Sequence, residues 1–152
     1  MVLILDNIRS LYNVGSMFRT ADGFGVSKIF LCGITGTPEQ NGLKKVALGA
    51  EGAVAWEHVA TTDEAVERLR ADGFTLVGLE LAPDAQDLGA YAAANHARGT
   101  AKLALIVGNE VDGLSPDLMA RLDAIVFIPM RGTKESFNVS VATGIALYEL
   151  VE

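Results

Sequence analysis

Three observations in these 152 residues predict an α/β domain built on a mainly parallel sheet flanked by helices. Short apolar runs alternate with helix-period segments along the chain, the order that buries a parallel sheet between helices. Runs such as residues 2–5 and 102–107 show no apolar–polar alternation, as expected of strands covered on both faces. Half of the residues are apolar and only 20% charged, a globular composition, and no linker or internal repeat marks a second domain.

The elements follow in order. Residues 2–5 read as the first strand. Asn13 suits the N-cap of a helix over 14–24, whose Met17, Ala21 and Phe24 share one face at i, i+4 and i+7. Arg19, two residues past Met17, turns about 200° from that face. Gly23 and Gly25 stop the helix. A strand at 28–32 precedes a Gly-, Thr- and Pro-rich loop at 33–42, a short helix at 42–50 and a strand at 54–59. The segment 62–72 is a helix with Ala65, Val66 and Leu69 inward, closed by Gly73. A strand at 74–81 leads into a long polar, Ala-rich connection over 82–100. The strand 102–107 turns through 108–115 into a helix with Pro116 at its first position. A strand at 124–128, a Pro/Gly loop and a nearly all-apolar helix over 139–151 follow, with Ser136 or Asn138 able to cap that helix.

Cys32 is the one cysteine and lies in an apolar run, so it reads as a core residue of a protein from a reducing compartment, the cytoplasm. No apolar run approaches the ~20 residues of a membrane span, and the first residues lack the basic flank of a signal peptide. A net charge of −7 argues against a nucleic-acid partner, but its distribution softens that. Residues 1–60 hold five basic and five acidic side chains, and residues 61–152 seven basic against fourteen acidic. Arg9, Arg19, Lys44, Lys45, Arg131 and Lys134 fall in or near polar loops, leaving room for a local basic patch.

Three segments share a design: Asn13-Val14-Gly15-Ser16-Met17-Phe18-Arg19-Thr20, Gly108-Asn109-Glu110-Val111-Asp112-Gly113-Leu114 and Ser136-Phe137-Asn138-Val139-Ser140. Each is expected after a strand and at the opening of a helix, where open α/β sheets collect ligands. Gly15, Gly108 and Gly113 would let backbone approach a ligand closely. His58 and His96 lie outside these segments, so no Ser/His/Asp triad forms; His58 reads as a structural or rim residue and His96 as exposed. A Walker loop, a Gly-x-Gly-x-x-Gly turn and a Cys/His metal cluster are all missing.

These segments, in this order, resemble the motifs of the SpoU (TrmH-like) family of RNA ribose methyltransferases, within the SPOUT group. Asn13-x-Gly15-x-x-x-Arg19-Thr20 is similar to the first motif and Gly108-Asn109-Glu110-x-x-Gly113-Leu114 to the second. Ile128-Pro129-Met130 through Ser136-x-Asn138-Val139-Ser140 is similar to the third. Residues 44–51 and the Trp56-x-His58 pair also look family-like, and no motif position departs from the pattern. The resemblance covers nearly the whole chain and implies one minimal catalytic domain, 1–152, without an added RNA-binding domain.

The resemblance implies a fold that periodicity cannot show, with a deep C-terminal trefoil knot. It implies S-adenosylmethionine as methyl donor, held by Leu79, Gly108, Asn109, Gly113, Ile128, Met130, Ser136 and Val139. The implied reaction methylates a ribose 2′-hydroxyl of tRNA or rRNA and needs no metal. Arg19 would activate that hydroxyl. Since a guanidinium keeps its proton up to a pKa above ~12, gripping a phosphate and stabilising the alkoxide is as physical a role as general base. Glu110 and Asn138 would orient Arg19 or the ribose, and Ser136 the donor. Asn13, Arg9, Arg19, Lys44, Arg131 and Lys134 would face the RNA. The implied assembly is a homodimer that completes each cleft across subunits, with no membrane partner. Two other readings stay open: a non-catalytic RNA-binding or assembly module, and a methyltransferase acting on a base nitrogen.

Overall fold

The structure, a computed structural model, describes residues 1–99 and 102–151. Its strands are β1 (Val2–Asp6), β2 (Lys28–Cys32), β3 (Ala55–Val59), β4 (Thr75–Leu79), β5 (Gln86–Asp87), β6 (Leu103–Val107) and β7 (Ala124–Phe127). Its helices are α1 (Leu11–Gly23), α2 (Asn41–Ala47), α3 (Ala50–Ala53), α4 (Thr62–Ala71), α5 (Leu88–Arg98), α6 (Pro116–Met119) and α7 (Val139–Leu150). Among the described residues the strands form one seven-stranded sheet, ordered β3-β2-β1-β6-β4-β7-β5, with every pairing parallel.

The two-residue period of a strand divides the core into two layers. Leu3 and Leu5 of β1, Ile29 and Leu31 of β2, and Leu103 and Leu105 of β6 pack with α1, α2, α5 and α7 on one face. Val2 and Ile4, Phe30 and Cys32, and Ala104 and Ile106 pack with α4 and α6 on the other. Strands β1 and β6 are buried along their full length, which their unbroken apolar runs require. Burial on both faces fails at the edge, where Ala55 and His58 of β3 are exposed. There Glu57 pairs with Lys28 at 2.7 Å and with both guanidinium nitrogens of Arg68, placing charge along the open edge. Burial pushes the Cys32 thiol up to about 12, so it packs as an inert core residue.

Three expectations change. The helix expected over 42–50 is two, α2 and α3, parted by Leu48 and Gly49 in the left-handed region. Helix α1 begins at Leu11, not Val14, because Ser10 is the N-cap and its hydroxyl accepts from the Asn13 N–H at 3.1 Å. The connection expected over 82–100 contains β5 and the eleven-residue α5, capped by Asp87 and ended by Gly99 at φ 62°. Its last residue, Thr100, lies outside the described residues. Helix α5 buries only Leu88, Ala92 and Asn95, a narrow stripe at i, i+4 and i+7 that small alanines make hard to see. Of the two caps open for the last helix, Asn138 is the one used: its Oδ1 accepts from the Ser140 N–H at 2.9 Å.

Neighbouring β1 and β6 send their chains to opposite faces, β1 into α1 and β6 into α6. The sheet therefore has a switch point there. Strand β6 diverges from β4 and β7 in the same way, since those lead to α5 and α7 on the first face. The loops beyond β6, β4 and β7 thus leave space between them.

Candidate active site

One cavity of about 600 Å³ opens beyond the C-terminal ends of β6, β4 and β7. Leu79, Glu80 and Leu81 supply its wall from β4, residues 107–113 from β6, and Phe127, Ile128, Met130 and residues 135–139 from the β7–α7 loop. The turn after β6 is compact. Asn109 Oδ1 accepts from the Val111 and Asp112 N–H groups at 2.9 and 2.8 Å, and Asn109 and Gly113 form a bridge. A side chain on Gly108 would meet the Gly113 carbonyl carbon at 2.4 Å, and Gly113 sits at φ 64°. These glycines let the turn close on itself. Gly15 serves another purpose: its Cα packs under α2, where a Cβ would lie 2.7 Å from the Leu43 carbonyl oxygen.

A polar network joins the three segments. Glu110 reaches across the switch point and accepts from the Arg9 and Ser10 N–H groups, both at 3.2 Å, and from Asn13 Nδ2 at 3.0 Å. Asn138 Nδ2 donates to Asn13 Oδ1 at 3.3 Å. Glu110 thus supplies acceptors to the free N–H groups leading into α1, a carboxylate where a helix N-terminus favours one. Burial pushes its carboxyl up, but the hydrogen bonds from Asn13 and from backbone N–H groups outweigh burial and hold it below the ordinary value.

Leu79, Gly108, Asn109, Gly113, Ile128, Met130, Ser136 and Val139 all line this cavity, as do Glu110 and Asn138. Arg131 and Lys134 are exposed on the loop that carries Ser136. Asn13 is buried, its amide spent on Glu110 and Asn138, so it links segments and does not face solvent. Arg19 is exposed on α1, does not line the cavity, and makes no hydrogen bond or ion pair with the described residues. Its own chain therefore does not bring Arg19 to Glu110. Arg9, Lys44 and Lys45 are exposed on the α1–α2 side. Ser16 and Thr20, near Arg19, line a second, shallow groove with Phe24, Val141, Ile145 and Tyr148 of the α1–α7 surface.

His58 Nε2 lies 2.7 Å from the Gly33 carbonyl oxygen, on the rim of the sheet. His96 is half-buried, not exposed, with Nε2 3.4 Å from the Leu150 carbonyl oxygen. Among the described residues no group of His, Cys, Asp and Glu could hold a metal ion. Glu80 is a cavity residue that motif spacing passes over, being a lone carboxylate at a strand end.

Residues 1–148 match the family model described as the SpoU rRNA Methylase family. The chain is 30% identical to the tRNA (guanosine(18)-2′-O)-methyltransferase of Aquifex aeolicus, over 98% of this chain and 67% of that protein. It is 32% identical to the 23S rRNA (guanosine-2′-O-)-methyltransferase RlmB of Coxiella burnetii, over 99% of this chain and 57% of that protein. The crystal structure of an AdoMet-bound rRNA methyltransferase from Sinorhizobium meliloti superposes with a TM-score of 0.85 at 30% identity, covering 98% of this chain and 54% of that one. The chain thus spans between half and two thirds of the length of these relatives.

Proposed function

The chain belongs to the SpoU rRNA methylase family, and from that premise we propose that it transfers a methyl group from S-adenosylmethionine to the ribose 2′-hydroxyl of a tRNA or rRNA. The observation that carries the reading is the one cavity shared by the ends of β6, β4 and β7, with Glu110, Ser136 and Asn138 on its wall. Its volume, about 600 Å³, suits a small-molecule site. Leu79, Phe127, Ile128 and Val139 offer apolar surface to a flat heterocycle. Asp112 and Glu135 offer carboxylates to a molecule of net positive charge. The residues present fit the donor.

When bound, the donor supplies a methyl group already activated by its sulfonium. The work left to the chain is alignment and charge. Arg19, through its planar guanidinium, grips the phosphate beside the target ribose and stabilises the alkoxide as the hydroxyl proton leaves to solvent. Glu110 and Asn138, through Asn13, hold the start of α1 against the cavity, which sets where α1 and its arginine stand. Arg9, Lys44, Arg131 and Lys134 supply phosphate contacts.

Arg19 reaches a cavity only if a second copy completes it. A homodimer joined through the α1–α7 groove brings Arg19 of one subunit to the cavity of its partner. The exposed Val141 and Tyr148 beside that groove support this assembly. RNA binding is then dimer-dependent, because few cations flank each cavity, and weakens with salt, because each cation–phosphate contact releases counterions. The C-terminal segment from β7 through α7 packs against α1 and α5, and it is the part that family membership implies passes through a loop as a knot. No described helix is long and apolar enough to cross a membrane; a cytoplasmic site of action follows from the RNA substrate.

The test is transfer of labelled methyl to tRNA and rRNA from cells lacking the gene, with the modified nucleoside identified by mass spectrometry. A 2′-O-methylated nucleoside supports the reading. A base-methylated one replaces it with nitrogen chemistry, and a protein that binds no donor is an assembly module.

A further inference from the structure

Glu80 stands where β4 ends, and it touches each of the three strand ends that wall the cavity. Its backbone N–H donates to the Val126 carbonyl of β7 at 3.0 Å. Its side-chain Oε2 accepts from the Leu114 N–H at 3.0 Å, across the cavity floor in the turn that follows β6. Oε1 accepts from the Leu81 N–H at 2.8 Å. The carboxylate lies so close under Gly113 that a Cβ there would come within 2.1 Å of Oε2. The residue before Leu114 is held as a glycine by its own φ of 64°, and a side chain there would have to displace the Glu80 carboxylate. Two N–H groups on one carboxylate are charge-assisted bonds, stronger than neutral ones and demanding in geometry.

The turn lines the cavity from Gly108 to Gly113, and the two glycines can offer a ligand only backbone, so recognition there depends on where their amides and carbonyls stand. We infer that Glu80 is a positioning residue for the methyl-donor site: it braces the Gly113–Leu114 turn against β4 and β7 and thereby sets donor affinity. The inference rests on the donor reading above and assigns a residue that none of the three motifs contains. Glu80 acts through the turn, whereas the catalytic groups act on the RNA. Loosening it weakens the donor and leaves the RNA untouched.

The experiment compares the full chain with Glu80→Gln, which keeps the shape and one acceptor, and Glu80→Ala, which keeps neither. Calorimetry with S-adenosylhomocysteine is expected to show affinity falling in that order, by about tenfold for Glu80→Ala. Amide exchange in the absence of ligand is expected to quicken at Leu114 in the same order, while the core strands β1 and β6 keep their protection. The KM for RNA stays unchanged. Equal affinity in all three proteins overturns the inference, and so does weaker binding without faster exchange at Leu114. The unmodified chain provides a check that needs no folded variant: saturation with S-adenosylhomocysteine slows Leu114 exchange, and no slowing also overturns it. An unmodified chain that binds no S-adenosylhomocysteine sinks the donor reading itself, a result distinct from variants that bind as well as it does.

Discussion

Two polar clusters sit at the same C-terminal edge of one sheet, and they are built to opposite ends. Beyond β1 and β2, Asp6 accepts from the buried Thr62 hydroxyl and from Asn7 Nδ2. Thr35 donates to the Cys32 carbonyl at 2.7 Å and accepts from the Ile8 N–H at 3.0 Å. Asn7, at φ 52°, accepts from the Ile34 N–H. Asp6, Thr35 and Thr62 are buried and bonded to their own neighbours, and neither cavity described above reaches them. Beyond β6, β4 and β7 the same kinds of residue bridge loops that diverge from the switch point, and a cavity stays open between them. Residue type at a strand end does not make a site. The direction in which the following loops leave does, because it decides whether polar groups close on one another or around a void.

This contrast is sharpest in what each cluster governs when damaged. Arg19→Ala is expected to cost the most, lowering turnover by about 100-fold or more while donor affinity holds, as loss of a transition-state contact should. Methyl-transfer kinetics beside calorimetry read it, and undiminished turnover removes Arg19 from the chemistry. Asp6→Ala in the closed cluster should cost about 2 kcal/mol of stability by stranding the Thr62 hydroxyl, yet leave donor affinity unchanged. Chemical denaturation measures the loss; a large drop in donor affinity would erase the distinction between the clusters. Asn13→Ala in the open cluster should do the reverse, with about 1 kcal/mol of stability lost and a larger fall in turnover, because Glu110 and Asn138 lose their common partner.

The smallest effect is in acid. The folded state holds the Glu110 carboxyl below the ordinary glutamate range, so its contribution is complete above that range and is lost as pH falls through the folded value. Denaturation midpoints of the unmodified chain and Glu110→Gln should therefore stand apart above the ordinary glutamate range and converge as pH falls below it. A gap that stays constant through that range would show that the carboxylate's charge contributes nothing.

The sheet was legible because its strands declare themselves: β1, β2 and β6 are apolar runs bounded by polar or glycine residues, and their boundaries differ from expectation by one residue at most. Helix α5 was not, since alanines cover its inner stripe and neither periodicity nor charge marks a face. The α1 start was misplaced for a longer-range reason. Asn13 has the chemistry of a cap, but Ser10 takes that place and Glu110, distant in sequence, takes Asn13. The motif glycines were visible while their purpose was not, because a close approach of turn to turn or helix to helix looks, in one dimension, like an approach to ligand. Arg19 was visible as a surface residue of α1. Its distance from its own cavity depends on tertiary placement, and the meeting with a second cavity that we propose would depend on quaternary placement, neither of which local pattern encodes.

The central claim is that three separated segments enclose one donor and that a neighbouring subunit brings the arginine to it. A crystal structure with S-adenosylhomocysteine tests both at once. The ligand should lie between Leu79, Gly108 and Met130, with the sulfur facing Arg19 of a partner subunit. A ligand elsewhere in the chain, or a sulfur with no arginine from either subunit before it, would contradict the claim.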